Sequence, residues 1–437
     1  MMSNTPPFSV KDLSLAEQGF KNIEWAERQM GALLKVRERF AREKPLAGLK
    51  IGIALHVTKE TAVLVRTLIA GGADVAICSC NPLSTQDDVA AALAKEGVRV
   101  YAKKGLTHEE YYENLRQVID FKPQITIDDG CDLVSEIHTN HPQLIPQILF
   151  GNEETTTGII RLKAMEKDGA LKYPVLAIND LQTKHLFDNF YGTGASTLDG
   201  ITRATNLLLA GKNVVVCGYG PCGKGVALRA KGMGANVIVT EVNPFRALQA
   251  TMDGYRLLPL LEAVKEGDVF ITVTGNKNVI DLSHMKQMKD NAVLANSGHF
   301  DAEINMKGLK AAAKSQRKIR PFMDEFILDS GDNRDNGKEV NNGNKGKKIF
   351  VLGEGRLINL AAAEGHPSVV MAQSFCGQAL AVEYGVKNQA KLKRGVNELP
   401  AEIDETIAKL QLAALGIKID ELTPEQKKYL ASWQEGT

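Results

Sequence analysis

The chain of 437 residues is 44% hydrophobic and 24% charged, an ordinary globular balance that excludes a disordered chain. Its 53 Lys and Arg stand against 52 Asp and Glu, a formal net charge of +1 with no basic excess of the kind that binds nucleic acid. No apolar run approaches the roughly 18 residues of a membrane span, the opening MMSNTPPFSV lacks the basic and apolar regions of a secretory signal, and the six cysteines form neither a disulfide framework nor a zinc spacing. At about 150 residues per domain the length predicts two or three domains, in a cytoplasmic, enzyme-sized protein with no metal ligand set in its spacing.

Residues 9–45 read as helical, with Ala16, Phe20, Ile23, Ala26 and Met30 close to helical period. From Leu49 the pattern alternates. Strand-like LKIGIAL (49–55) precedes helix-like ETAVLVRTLIAGG, then come strand ADVAICS (73–79), helix TQDDVAAALAKEG, strand VRVYA (98–102), helix HEEYYENLRQVI and strand QITIDD (124–129). Such alternation predicts βαβ units and a parallel sheet, whose ligands bind beyond the carboxyl ends of the strands. There lie His56, Thr58 and Glu60 after the first strand, Ser79, Asn81 and Gln86 after the second, and Asp128 and Asp129 after the fourth. Thr58 and Thr85 are also natural helix caps.

Residues 213–225, NVVVCGYGPCGKG, carry a dinucleotide-binding pattern. An apolar strand runs into Gly218, Gly220 and Gly223, which permit a tight turn, close backbone approach to a pyrophosphate and close helix–strand packing. The helix that follows offers free N–H groups to the phosphates. A second strand ends at Glu241, placed to accept from ribose hydroxyls and to repel a 2′-phosphate, which favours NAD over NADP although Arg246 lies nearby. The same letters nearly spell a triphosphate loop, but Gly225 stands where a hydroxyl would meet magnesium. Segments VFITVTG (269–275), AVLANSGHF (292–300) and KIFVLGEG (348–355) predict further strands, and 330–348 predicts an exposed loop. His108, His138, His141, His185 and His284 have no chemical company in the sequence.

Several blocks together resemble S-adenosylhomocysteine hydrolases: LHVTKETAV (55–63), SCNPLSTQDD (79–88), EETTTG (153–158), INDLQTKHLFDNFYG (178–192), SGHFDAEI (297–304) and EGRLINLAAAEGHPSVVM (354–371), with the glycine loop. The resemblance covers about residues 10–430. It implies an α/β fold of two Rossmann-like parallel-sheet domains plus a small helical C-terminal arm. The implied division is substrate domain 1–185 with return segment 365–399, NAD domain 186–364 and oligomerisation arm 400–437. It further implies a cytoplasmic homotetramer of the methyl cycle, which reversibly cleaves S-adenosylhomocysteine to adenosine and homocysteine with an NAD regenerated each turnover.

The thioether on C5′ is a poor leaving group, and oxidising the 3′-hydroxyl acidifies the C4′ proton so that elimination and water addition follow. By resemblance, His56 and Asp129 lie near C5′ and the leaving sulfur, Glu154 at the 2′-hydroxyl, and Lys184 and Asp188 at the ribose hydroxyls, the lysine's pKa lowered by burial so that it can accept a proton. His299 matches the 3′-hydroxyl neighbourhood. Thr58, Glu60, Thr61 and His366 match the adenine and ribose neighbourhood, and Met371 and Phe375 line the base pocket. Glu60 accepts from an exocyclic amine and disfavours a carbonyl, hence adenine over hypoxanthine. Thr155, Thr156, Thr157, Asn189, Thr274, Asn296 and Asn359 match cofactor contacts. Without the resemblance, Lys184 and Asp188 also read as an ordinary helical ion pair.

Four features depart from the animal forms: Thr193 in place of a cysteine, a short ending YLASWQEGT that predicts readier NAD exchange, Glu364 before Gly365-His366 near the base pocket, and a long 330–348 loop. The short-tailed forms include enzymes of S-inosylhomocysteine, which is the alternative substrate. A non-catalytic NAD-binding relative is the alternative of another class, opposed by the retained His56, Asp129, Glu154, Lys184, Asp188 and His299.

Overall fold

Residues 7–329 and 346–434 are described in a computed structural model. Of the loop expected at 330–348, residues 330–345 lie outside the described residues, and strand begins at Lys347. The predicted alternation builds two sheets of eight strands each.

The first sheet opens with β1 (Ser9–Val10), β2 (Lys50–Ala54), β3 (Asp74–Cys78), β4 (Arg99–Ala102), β5 (Ile125–Asp128), β6 (Phe150–Glu153) and β7 (Pro174–Ala177), all parallel, in the spatial order β1-β4-β3-β2-β5-β6-β7. The second holds β8 (Asn213–Cys217), β9 (Asn236–Thr240), β10 (Arg256–Leu257), β11 (Val269–Thr272), β12 (Ala292–Asn296), β13 (Ala313–Arg320), β14 (Met323–Leu328) and β15 (Lys347–Leu352), in the order β10-β9-β8-β11-β12-β15-β14-β13. Its last two pairings, β15 with β14 and β14 with β13, are antiparallel. The final strand, β16 (Gly395–Asn397), returns to the first sheet and pairs parallel with β7.

Val- and Ile-rich strands such as NVVVC are buried because helices cover both faces. Each sheet accordingly separates two apolar cores, one around Ile51 and Ile53 and one around Leu115 and Val134 in the first, one around Val214 and Val216 and one around Val215 and Phe270 in the second. The helix Ser368–Asn388 is buried along nearly its whole length, with Ala372, Phe375, Cys376 and Ala379 in the core of the first sheet. Strand order reverses between β2 and β5 in one sheet and between β8 and β11 in the other. Crevices open at such reversals, so the loops after these four strands are where ligands bind.

Two expectations change. Residues 9–45 form a short strand, a single turn and two helices, Ala16–Glu27 and Gly31–Glu43. The break turns the second helix onto Ser368–Asn388 and the C-terminal helix Ala401–Ala414. Both halves keep apolar spacing, so periodicity alone does not show the break. Strand β13, AKSQRKIR, went unread because it is an exposed sheet edge rich in Lys and Arg, the usual protection of an edge.

Candidate active site

A cavity of about 900 Å³ lies between the carboxyl edges of the two sheets. Thr58, at the N-cap of the helix Lys59–Ala70, directs Glu60 inward from its first turn. Glu60 is only 1% exposed. Its Oε1 accepts from Ser368 Oγ at 2.6 Å and lies 3.4 Å from Lys59 Nζ. The Thr61 hydroxyl ties back to the His56 carbonyl at 2.5 Å. Met371, Phe375 and His366 line the same end. Glu364, expected near the base, is exposed and does not line the cavity; it pairs outward with Lys59 at 2.9 Å and Arg203 at 3.5 Å.

At the centre, Glu154 follows β6 and faces Lys184 and Asp188. Lys184 Nζ lies 2.6 Å from Asp188 Oδ2 and 3.7 Å from Glu154 Oε1, and donates to Asn189 Oδ1 at 2.7 Å. A π-helical turn, Asp188–Gly192, swings Asp188 and Asn189 inward. Asp404 of the C-terminal helix accepts from the Gln182 and Thr183 amides at 2.6 and 2.9 Å and so caps the short helix that carries Lys184. Ser374 and Gln378, one turn apart on Ser368–Asn388, donate to the two oxygens of Glu154.

Charge in this group is the reverse of one expectation. Burial alone would make Lys184 more acidic, but Asp188 and Glu154 outweigh it and hold the ammonium firmly protonated. Burial likewise opposes the charge on Asp188, yet His366 and Lys184 keep it ionised. Burial pushes Glu154 up to about 7 against the pull of Lys184. Glu154, not Lys184, is therefore the member that changes charge near neutrality.

At the other end, His56 follows β2 and Asp129 follows β5, adjacent strands at the reversal. His56 Nε2 lies 3.3 Å from Asp129 Oδ2, and His56 Nδ1 lies 2.8 Å from Ser84 Oγ. Burial lowers His56 to about 4 despite Asp129, so the imidazole is neutral at pH 7. His299 Nδ1 approaches Asp129 Oδ1 at 3.5 Å. Gly130, at φ 104°, admits that ring, because a Cβ there would fall 2.3 Å from His299 Nε2. Beneath, Glu153 Oε1 accepts from the Gly130 and Thr155 amides at 2.9 and 3.0 Å, tying the loops after β5 and β6 together. Asp128 accepts from Asp129 and Val134 amides, and burial pushes it up to about 7.

The second sheet supplies the remaining wall. Gly218 turns at φ 108°, and a Cβ on Gly223 would fall 2.0 Å from the Gly218 carbonyl oxygen. Glu241 Oε2 accepts from the Tyr219 amide at 2.7 Å, and Oε1 from Val242 and Asn243. Thr274 and Gly275 are held through their amides by Glu303. Thr155, Thr156, Thr157, Asn189, Thr274 and Asn359 line the cavity between glycine loop and centre. Asn359 Oδ1 is buried without a protein partner, an acceptor aligned with the needs of a carboxamide. Cradle, carboxylate and free amide oxygen together fit a dinucleotide carrying a carboxamide.

Asn296 is different. It does not line the cavity, and its side chain bonds Thr272, Gly298, Phe300 and Gly355, fixing the loop before His299. Ser79, Asn81 and Gln86 are likewise spent on loop structure, through the Asn81 carbonyl and the Leu83 and Lys59 amides. Thr193 Oγ1 bridges Cys222 Sγ and His366 Nε2 at 3.6 and 3.5 Å. Sequence reasoning missed Cys80, Ser84, Glu153, Ser368, Ser374, Gln378, Glu303 and Asp404. The four-residue spacing of Ser374 and Gln378 on a mostly buried helix was a usable signal for that pair; Ser368 and Asp404 also come from helices, and the rest are placed by sheet order.

Comparison with known proteins matches residues 7–149 to the family model of S-adenosyl-L-homocysteine hydrolase and residues 189–365 to that of its NAD binding domain. The S-inosyl-L-homocysteine hydrolase of Methanocaldococcus jannaschii is 58% identical over 98% of this chain and 100% of its own. The adenosylhomocysteinases of Sulfurisphaera tokodaii and Aquifex aeolicus are each 56% identical over 98% of this chain and 100% of their own.

Proposed function

The chain belongs to the S-adenosyl-L-homocysteine hydrolase family and is an NAD-dependent hydrolase; from that premise we propose that its substrate is the adenosyl thioether, cleaved reversibly to adenosine and L-homocysteine. The observation that carries the choice of base is Glu60. One carboxylate oxygen is taken by Ser368 and Lys59, while no protein donor among the described residues takes the other. A cavity-lining carboxylate that can only accept suits the exocyclic amine of adenine and repels the carbonyl of hypoxanthine. Glu364, turned outward, leaves that preference intact.

When bound, NAD supplies the reversible two-electron oxidation of the 3′-hydroxyl that acidifies C4′–H. Lys184, kept as an ammonium, donates to the ribose oxygens and stabilises negative charge as it develops there. The hydroxyl proton passes into the Glu154–Lys184–Asp188 set, which titrates as a unit and whose neutral-range member is Glu154. Neutral His56 accepts the C4′ proton as the thioether bond breaks and passes it to the leaving sulfur, with Asp129 stabilising the imidazolium in between. His299 flanks the 3′ position; Thr58, Thr61, His366, Met371 and Phe375 enclose the nucleoside. Gly218, Gly220 and Gly223 carry the cofactor phosphates, Glu241 its ribose, and Thr155, Thr156, Thr157, Asn189, Thr274 and Asn359 its nicotinamide half, with Asn296 acting through the His299 loop.

Residues 1–185 and 365–399 serve as the substrate body, 186–364 as the NAD body and 400–437 as an oligomerisation arm of a cytoplasmic homotetramer in the methyl cycle. Exposed Leu415, Ile417, Ile419, Leu422 and Trp433 support an arm that docks on another subunit. Among the described residues no helix is long and apolar enough to cross a membrane. The inosyl reading is supported by the 58% identity to the S-inosyl-L-homocysteine hydrolase of Methanocaldococcus jannaschii, whereas Lys59, the cation 3.4 Å from Glu60, does not line the cavity. Glu60→Gln tests the assignment: kcat/KM for the adenosyl over the inosyl thioether is expected to fall by about tenfold or more, and unchanged selectivity would mean the base is read elsewhere.

A further inference from the structure

We propose that Gln378, held in one orientation by Asn152, is a positioning residue that directs the proton taken up by Glu154 onto Oε1, the oxygen facing Lys184. The inference rests on the reading above that Glu154 accepts the ribose proton; the identity of the base does not enter it.

The orientation is set by a main-chain carbonyl. Asn152 lies on β6, two residues before Glu154, and its Nδ2 faces the Gln378 carbonyl oxygen at 3.3 Å and Gln378 Oε1 at 3.0 Å. A carbonyl oxygen only accepts, so the Asn152 amide presents its nitrogen there. That nitrogen fixes Oε1 as the near atom of the Gln378 amide. Nε2 is then left pointing at Glu154 Oε2, to which it donates at 2.6 Å. Neither amide flips without setting acceptor against acceptor or donor against donor. Asn152, Ser374 and Gln378 are all fully buried, where an unmet donor or acceptor is costly.

The two oxygens of Glu154 are therefore unequal. Oε2 meets an N–H group that cannot accept. Oε1 meets the Ser374 hydroxyl, which donates to a carboxylate and, once rotated, accepts from a carboxylic acid. Oε1 is also the oxygen 3.7 Å from Lys184 Nζ. A proton on Oε2 would break the Gln378 bond and set O–H against N–H; on Oε1 it costs only a turn of the hydroxyl. The charged groups facing Glu154 are Lys184 and Asp188. The helix Ser368–Asn388 presents neutral Ser374 and Gln378, and Glu153 turns away to the Gly130 amide. In turnover the O–H bond of the ribose hydroxyl breaks as its carbon gives hydride to NAD, and the new O–H bond forms on Oε1; the reverse step returns the proton.

Infrared spectra of the NAD-loaded full-length protein, recorded across pH without substrate, test the placement. The carboxylic C=O band of Glu154 is assigned by its loss in Glu154→Gln. With the proton on Oε1, the C=O is at Oε2 and carries the Gln378 bond. Gln378→Met is therefore expected to move that band to higher frequency. It is also expected to raise the band's midpoint from about 7 by about one pH unit, a tenfold change, because the carboxylate loses a donor. Asn152→Leu, which frees the Gln378 amide to turn, is expected to move both the same way by less. A role in packing alone would move neither, and an unmoved band in a folded Gln378→Met overturns the placement; should that variant not fold, Asn152→Leu decides in its place. Use of the placement in turnover is read separately, from the pH dependence of substrate-induced reduction of bound NAD in the same variant. Its acid limb is expected to move up with the band midpoint. A limb that stays while the band moves overturns Glu154 as acceptor of the ribose proton, but not the placement.

Discussion

Along the edge of the first sheet the cavity is walled by charged side chains that hold one another: Lys184 with Asp188 and Glu154, His56 with Asp129. Along the edge of the second it is walled by glycines and main-chain amides, and the carboxylates there, Glu241 and Glu303, accept from backbone N–H groups. On the first wall, protonation decides what the site can do. On the second, the space left by a missing side chain decides it.

The sharpest break falls on the charged wall. Lys184→Ala removes the ammonium that lies beside the buried carboxylates of Asp188 and Glu154, and turnover is expected to fall about 10²- to 10⁴-fold while bound NAD stays stoichiometric. Substrate-induced reduction of the bound cofactor, followed by absorbance, checks the first part and cofactor content the second. Near-normal turnover removes Lys184 from the chemistry. On the other wall, Gly223→Ala forces a methyl to 2.0 Å from the Gly218 oxygen. Overpacking of this kind costs about 1–3 kcal/mol, so NAD is expected to bind roughly 10- to 100-fold more weakly, as read by calorimetry. Unchanged affinity would show that the loop yields.

The pH dependence of stability next separates the two ends of the charged wall. Glu154 titrates near 7 in the folded protein against an ordinary 4.5, so its contribution is full below 4.5 and is lost as pH rises through 7. His56 titrates near 4 against an ordinary 6.5, so its contribution is present above 6.5 and is lost as pH falls through 4. Between about pH 4.5 and 6.5 the two oppose each other. Glu154→Gln is expected to remove the gain on acidification and His56→Gln the loss, each by about 2–3 kcal/mol, measured by denaturant unfolding across that range. Parallel profiles for the two variants would contradict the assignment. The smallest effect belongs to Glu364→Ala. Its pair with Arg203 is at the surface, while its other partner, Lys59, is buried and keeps Glu60 as a second carboxylate, so stability is expected to change by about 1 kcal/mol and base selectivity not at all.

The same contrast explains what the sequence made legible. The NVVVCGYGPCGKG loop and Glu241 are readable because a backbone wall is built from consecutive residues with fixed spacing. Strand–helix alternation showed β2 to β5 of the first sheet and β8, β9, β11, β12 and β15 of the second for the same reason, while the remaining strands went unread. The charged wall is assembled from loops and helices 24 to more than two hundred residues apart, so Cys80, Ser374, Gln378 and Asp404 were not joined to the site until the tertiary fold brought them together. Lys184 was read as a proton acceptor with its pKa lowered by burial, whereas two carboxylates beside it decide its charge and keep it protonated. Glu364 was placed at the base pocket from its neighbour His366, but the turn sends its side chain outward.

The most direct test gives the purified, NAD-loaded protein S-adenosylhomocysteine and S-inosylhomocysteine side by side and follows free thiol and reduced cofactor together. The account predicts faster thiol release from the adenosyl compound, with no net accumulation of reduced cofactor. Preference for the inosyl compound would contradict the role given to Glu60, and steady release of reduced cofactor without thiol would contradict the hydrolase itself.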